Sequence, residues 1–458
     1  MVNRSEYPSY ASFPVFKSLD PNRRSRLDRL LSVFADVRGG EGAGALLLFA
    51  NIFLLLTAYY LLKTAREPLI LTQYGAEVKT YLSAGQALLL LAVLPAYSWL
   101  ASRVKRVRLL AGVSLFFTAN LAIFYYAAAG GAAIGMAFYL WVGIFSLFAI
   151  SQFWAFANDL YSEAQGKRLF PLIGAGASIG AVAGAKAASL AAERLGALPL
   201  LPMGAALLAA CAALTAIADA RISVHGGQQQ AREKPLAPGD GFALLLRDRY
   251  LVFIALLVFL LNVVNTSGEF LLSSLVSEQA GRLPGGEEAR GRFIGAFYGD
   301  FFFWVNLLGM GLQMFAVSRL FRYIGVGGAL FLLPLAALSG YALLAAAPVL
   351  GVIRVLKIIE NGIDYSVQNT ARQALFLPTP RDVKYKAKAV IDTFFQRAGD
   401  VTQAGIVYAG TQVFSLGMTG FAGLNLLLTA AWLALVTALS LEYRKRAGAA
   451  APEAPAAG

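Results

Sequence analysis

Apolar runs about 20 residues long, enough to cross a bilayer as a helix, recur along this chain from near position 44 to position 441. Nothing else in the sequence restricts the fold as strongly. Inside lipid the backbone has no water to bond, so only helices or closed barrels can span it. The runs are rich in Leu and Ala and show no strict alternation, which selects helices over barrel strands. About twelve such runs fall near 44–62, 80–102, 107–129, 133–158, 170–192, 197–221, 249–272, 293–317, 324–347, 349–375, 388–414 and 419–441. The expected class is an all-α, polytopic membrane protein. Composition agrees: 58% of residues are hydrophobic and 14% charged, where a soluble domain is nearer one quarter charged.

The formal charge of +13 is not spread as a nucleic-acid footprint would be. Arg and Lys concentrate at 23–38, 103–108, 167–168, 221–249, 319–322, 381–388 and 444–446. With twelve spans these are the N-terminal segment, every even-numbered loop and the C-terminal tail. Loops on the other side are nearly uncharged, apart from a mixed stretch at 278–292. This asymmetry follows the positive-inside rule and predicts that both termini are cytoplasmic; the expected location is the cell inner (plasma) membrane. A nucleic-acid partner is not expected. The polar first forty residues lack the apolar core of a cleaved leader, so the first span is expected to direct insertion. The single cysteine, Cys211, lies in an apolar span, and the single histidine, His225, in a polar loop. Neither a metal cluster nor a Ser-His-Asp set can be assembled from them, and no phosphate-loop fingerprint is present. The sequence therefore predicts no enzyme, no metal and no cofactor.

Residues 222–248 read as a Gln/Pro/Gly-rich linker between two halves, 44–221 and 249–441, flanked by a cytoplasmic segment at 1–43 and a tail at 442–458. The halves resemble one another in order. Thr64-Ala65-Arg66-Glu67 at the end of the first run corresponds to Thr266-Ser267-Gly268-Glu269 in the seventh, and Ser102-Arg103 to Ser318-Arg319. Asp159-Leu160-Tyr161-Ser162 corresponds to Asp364-Tyr365-Ser366. Two repeated six-helix halves predict a major-facilitator-like arrangement, with a solute site near the midplane between them.

Polar residues inside the spans are periodic. Arg354, Lys357, Asn361, Asp364 and Gln368 in the tenth run are three or four apart, one face of a helix. Asn262, Asn265, Glu269 and Ser273 share a face of the seventh; the fourth offers Gln152, Asn158 and Asp159, and the first Asn51, Lys63, Arg66 and Glu67. Spans one, four, seven and ten each begin a three-helix unit, so repeat position and periodicity select the same helices. Ionisable groups at membrane depth are costly unless they pair or face water. A polar stripe can equally be glue between helices, with its carboxylates cross-paired and no solute involved. Gly176, Gly180 and Gly184 predict close helix packing, and the clusters 301–304 and 394–395 are expected to pack or face lipid.

Several segments resemble one family. Phe156-Ala157-Asn158 followed by Lys167-Arg168-Leu169-Phe170-Pro171-Leu172-Ile173-Gly174, and Lys384 through Asp392, are similar to the non-mitochondrial ATP/ADP translocases, as are Lys63-Thr64-Ala65-Arg66-Glu67 and Phe297-Tyr298-Gly299-Asp300-Phe301. The resemblance runs over most of 44–441. It implies a twelve-span carrier that exchanges ATP for ADP, or moves a similar anion, by alternating access and without hydrolysis. A polyphosphate requires Lys and Arg, and Lys63, Arg66, Arg354, Lys357, Lys386 and Lys388 are the candidates, with Asn158, Asn265 and Asn361 as polar contacts. Glu67, Asp159, Glu269, Glu360, Asp364, Asp392, Arg397 and Asp400 are candidates for gating or ion pairing, and of these Glu67, Asp159, Glu269 and Asp364 are candidates to take a proton. The sequence departs from the family pattern at Arg66, where a lysine is expected, and at Gln165 and Asn265, where glutamates are. Two other readings stand beside this one: a proton-coupled carrier of another organic anion, and a non-transporting membrane scaffold.

Overall fold

The computed structural model describes residues 25–103, 106–222 and 239–449. Among the described residues, twelve helical rods form the bundle. The first six are α1 (Gly42–Leu71), α2 (Gly75–Arg103), α3 (Arg106–Ala129), α4 (Gly135–Leu160), α5 (Glu163–Leu195) and α6 (Leu200–Ile222). α7 (Arg249–Gly281) follows the linker. α8 runs from Gly286–Gly311 through a π turn, Leu312–Ala316, into Val317–Ala329. Gly325 breaks that last stretch with a φ of 69°, a left-handed conformation that suits glycine. α9 is Leu332–Ala346, and α10 joins Leu350–Ile363 to Asn369–Ala374 across a π turn at Asp364–Gln368. α11 contains Arg381–Val390 and Gln396–Tyr408 with π turns at Ile391–Phe395 and Ala409–Val413, and α12 is Met418–Ala449. Short helices at Arg26–Leu31 and Gly239–Arg247 precede α1 and α7. His225 and most of the linker lie outside the described residues.

Among the described residues, eight rods are long and apolar enough to cross a membrane, fewer than the twelve apolar runs of the sequence. Four rods make the difference. α9 is only 15 residues long, α10 and α11 are divided by π turns and carry charges along their length, and most side chains of the second half of α2 lie outside the described residues. The first span is also longer than its apolar run. Lys63, Arg66 and Glu67, expected at its end, lie inside α1, which continues through Pro68 to Leu71. Helix continues past the charges because Glu67 finds cations to bond it.

Packing repeats after six helices. α1 packs on α4, α5 and α6, and α7 packs on α10, α11 and α12; across the halves, α5 against α8 mirrors α11 against α2. Small residues allow the closest approach. A Cβ at Gly180 would lie 2.3 Å from the Phe53 carbonyl oxygen, and one at Gly184 2.7 Å from Thr57 Cα, so the glycine stripe seats α5 directly on the α1 backbone. Asn51, on the polar face of α1, is glue. Its amide donates to Thr215 Oγ1 at 2.8 Å and the Cys211 carbonyl at 3.3 Å, and Cys211 is buried.

The halves meet at the end away from the linker. There Lys79 of α2 donates to Ser273 of α7 at 2.8 Å, Lys186 of α5 pairs with Asp300 of α8 at 3.2 Å, and Gln412 of α11 donates to Glu77 of α2 at 3.4 Å. A Cβ at Gly299 would meet Ser189 at 2.5 Å, so α5 and α8 touch backbone to backbone at this end.

Candidate functional site

A cavity of about 270 Å³ opens between the halves, lined from α1, α2, α4, α7, α8, α10 and α11. A second of about 490 Å³ lies toward the linker end, lined by Asp364, Asn369 and Arg372 of α10 and Gln396 of α11, and shares Asn265 and Tyr365 with the first. The two together form a central chamber with a vestibule.

The α1–α2 wall is basic. Glu67 is buried, with 1% exposure. One carboxylate oxygen lies 2.5 Å from Arg66 Nη2, the other 2.7 Å from Lys79 Nζ. One anion thus holds two cations, and the Arg66 guanidinium stacks on Tyr139, 4.4 Å from its centroid. Lys63 takes a different partner. Its ammonium lies 4.3 Å from the Phe302 ring centroid and 5.4 Å from that of Tyr60, a cation–π cage, and no carboxylate pairs with it among the described residues. Lys63, Arg66 and Lys79 against Glu67 leave this wall with a surplus of two positive charges.

The facing wall is acidic. Glu269 and Asp400 line it. Glu269 accepts from Asn361 Nδ2 at 3.1 Å and lies 3.6 Å from Lys357 Nζ. Lys357 sits behind the wall with no exposure, 2.9 Å from Glu360 Oε2 and 2.6 Å from Asn265 Oδ1. Gly268 makes room for it: a Cβ there would meet Lys357 Cδ at 3.0 Å and the Tyr341 hydroxyl at 2.2 Å. Asp400 accepts from Asn262 at 2.7 Å and pairs with Arg397 at 3.3 Å.

Of the residues singled out in the sequence, Lys63, Arg66, Glu67, Asn265, Glu269, Asn361 and Asp400 line the chamber, and Asp364 lines the vestibule. Lys357 and Glu360 form the layer behind. The others lie elsewhere. Arg354 occupies the first turns of α10 and reaches Asp300 Oδ2 at 2.5 Å, so it closes the far end rather than facing the chamber. Asn158 lines a separate groove with Tyr161, Lys167 and Phe170, and Asp159 beside it is exposed. Lys386 and Lys388 lie in the first helix of α11, next to the linker helix, where Lys388 pairs with Asp392 at 3.0 Å.

Sequence periodicity missed Lys79, Phe302, Tyr59 and Tyr365, all on the chamber wall. Lys79 belongs to a second helix of its triplet, and Phe302 reads as one of several packing aromatics. Only its place above Lys63 distinguishes it. Gln368 was expected on the polar face of α10 but is buried. The π turn at Asp364–Gln368 inserts a residue and rotates the face, presenting Tyr365 instead.

Outside the membrane, the N-terminal segment is tied to the bundle. Arg168 donates to both oxygens of Glu41, at 2.8 and 2.9 Å. Burial by itself pushes the Glu41 carboxyl up, but Arg168, the Arg38 backbone N–H and Gln165 outweigh it and hold the group below its ordinary range. Gln165, the departure from the family pattern, donates to Glu41 at 3.2 Å and also closes the capping box of α5 with Ser162.

The chain is similar to the ADP,ATP carrier protein 1 of Chlamydia muridarum (strain MoPn / Nigg), 24% identical over 301 residues that cover 56% of this chain and 55% of the relative. The carrier of the same name from Chlamydia pneumoniae is 24% identical over 353 residues, 66% of each. The resemblance to these carriers is distant but consistent. Against the first of them, the chain spans about half the relative's length. No family model matches the chain. Among solved structures, the nucleoside transporter NupG superposes with a TM-score of 0.63 at 14% identity, covering 88% of this chain and 99% of that one. A bacterial homologue of the iron transporter ferroportin gives 0.62 at 11% identity, covering 88% and 98%. The fold is therefore the major-facilitator-like one, an all-α, multi-pass membrane architecture.

Proposed function

We propose that this protein is a secondary transporter that moves a nucleotide, by ATP/ADP exchange, or a similar anionic solute, through alternating access in an inner membrane with both termini cytoplasmic. One observation carries this reading: three cations, Lys63, Arg66 and Lys79, converge on one chamber between two six-helix halves. Charge-assisted bonds from Arg and Lys are the ordinary means of holding phosphates. Tyr59, Phe302 and Tyr365 beside them supply ring faces against which a base can stack. The Chlamydia relatives, by their names, carry ADP and ATP. Closure at the far end and a vestibule toward the linker correspond to an inward-open state.

Lys63 and Arg66 hold the anion, with Asn265 and Asn361 as polar contacts. Glu67 links the anion site to the gate, because it bonds Arg66 on one side and, through Lys79, Ser273 of the other half on the other. Arg354, Lys186 and Asp300 form the remainder of the far-end gate. Asp159, Lys386, Lys388 and Asp392 act from the linker end, in pairs that form and break as it closes.

The acidic face of Glu269 and Asp400 favours a second reading, a smaller organic anion that also bears a positive group. Labelled ATP and ADP counterflow in proteoliposomes separates the two. Nucleotide exchange that falls about ten-fold or more in Lys63→Ala and Arg66→Ala, the loss of one charged hydrogen bond or more, supports the first. Absence of exchange in the wild type removes it, and uptake of amino-bearing anions then supports the second.

A further inference from the structure

We propose that Glu360 is a proton-binding site, and that its proton is coupled to the anion in the central chamber; the coupling rests on the transporter reading above. The layer behind the α7–α10 wall holds one cation and two carboxylates. Lys357 Nζ lies 2.9 Å from Glu360 and 3.6 Å from Glu269. With both acids ionised the trio carries a net negative charge, at a depth where uncompensated charge costs several kcal/mol. Glu360 Oε2 is served by Lys357 and, at 3.4 Å, by the Tyr341 hydroxyl. Its other oxygen, Oε1, is buried and unpartnered. An ionised carboxylate with a bare buried oxygen is a poor arrangement, and a neutral acid removes the surplus charge.

The groups facing Glu360 are Lys357 and Asp364 from α10, Glu269 from α7 (through Lys357), Tyr341 from α9 and Trp432 from α12. On α8, Asp300 engages Lys186 and Arg354 instead. A mostly apolar void of about 10 Å³ lies against both acids of α10, with Leu261, Val264, Leu333 and Ala337 on its wall beside Asn265 and Trp432. Asp364 also lines the open vestibule. Glu269, Lys357, Glu360 and Asp364 thus stand in order between the chamber and the vestibule.

The coupling follows from charge. Adding H⁺ to Glu360 Oε1 makes a neutral acid and leaves the Lys357 ammonium to Glu269 alone. That neutralises the acidic wall opposite Lys63 and Arg66, so an anion binds better when Glu360 is protonated. By reciprocity the bound anion raises the proton affinity of Glu360. On release the proton passes from Oε1 to Asp364 and then to vestibule water, the electron pair stays on Glu360, and Lys357 remains an ammonium throughout. Proton and anion move in the same direction.

The test uses the full chain in liposomes enclosing a pH-reporting dye and no nucleotide, with ATP as the external probe, so that no leaving anion carries a proton back out. Wild-type protein acidifies the lumen as ATP enters, and in Glu360→Gln, which has no carboxyl to carry the proton, the protons moved per ATP fall to near zero. An unchanged ratio, or ATP entry in the wild type without protons, overturns the proposal. If the wild type takes up no ATP without internal nucleotide, the counterflow experiment above decides the nucleotide reading, and the proton site is decided by pH-difference infrared spectra of the protein in lipid. Over the background of the chain's other carboxyls, one protonated-carboxyl component is expected in the wild type, shifted in Glu360→Asp and lost in Glu360→Gln. A spectrum that Glu360→Gln leaves unchanged overturns the site itself.

Discussion

Glu67 shows at the scale of one residue why so polar a cluster persists in so apolar a chain. It bonds two cations at 2.5 and 2.7 Å while 1% exposed, and removing one partner of a buried ion pair costs about 3–5 kcal/mol because the others are left unpaired. Glu67→Gln is expected to lower the thermal unfolding temperature in detergent markedly. Glu278→Gln, which breaks an exposed pair with Arg282 worth about 0–1 kcal/mol, is expected to leave it nearly unchanged, and equal effects would contradict the assignment. Glu41 gives a pH prediction outside the membrane. Its pKa is held below the ordinary range in the folded state. Its contribution is therefore complete above the unfolded carboxyl value, about 4.3, and is lost as pH falls through the folded value. Protection of backbone amides at 26–41, measured against the intrinsic exchange rate at each pH, is expected to fall below about pH 4, and in Glu41→Gln already at neutral pH. Protection that survives both changes would show that Arg168 and Glu41 do not tether this segment.

At the scale of the element, the glycine stripe of α5 was legible in the sequence as spacing, and the structure supplies its partner. Gly180 faces the Phe53 carbonyl oxygen at a distance no Cβ can occupy. Gly180→Leu is expected to destabilise the α1–α5 pair by about 1–3 kcal/mol or more through overpacking. Gly423→Leu on α12, where nothing lies within 4 Å, is expected to be neutral or mildly stabilising in the same melt. The π turns were not legible. Periodicity arguments assume 3.6 residues per turn, and a π turn adds one residue without any marker in residue type. This is why Asn361 lines the chamber while Gln368, one π turn later on the same sequence stripe, lines neither the chamber nor the vestibule.

At the scale of the whole molecule, polar contacts join the two halves at the far end, which makes one conformational prediction. Glu77→Cys with Gln412→Cys, in a Cys211→Ala background, places one thiol on each half where the native side chains meet at 3.4 Å. A short bifunctional thiol reagent is expected to join them in the resting protein and to abolish exchange, which a cleavable reagent restores on reduction. Undiminished exchange in the cross-linked protein would show that the far end does not have to open. Lipid determined the class of this protein through the sequence alone. Repeated apolar runs have no soluble fold, their backbone bonds must close within helices, and charges inside them had to be paired or wetted, so Lys63, Arg66, Glu67 and Glu269 stood out. What the sequence left open is pairing across space. Lys79 joins Arg66 on Glu67, Phe302 covers Lys63, and Arg354 turns to Asp300 rather than the chamber. Each of these contacts joins different helices, and only tertiary packing decides which charge meets which partner.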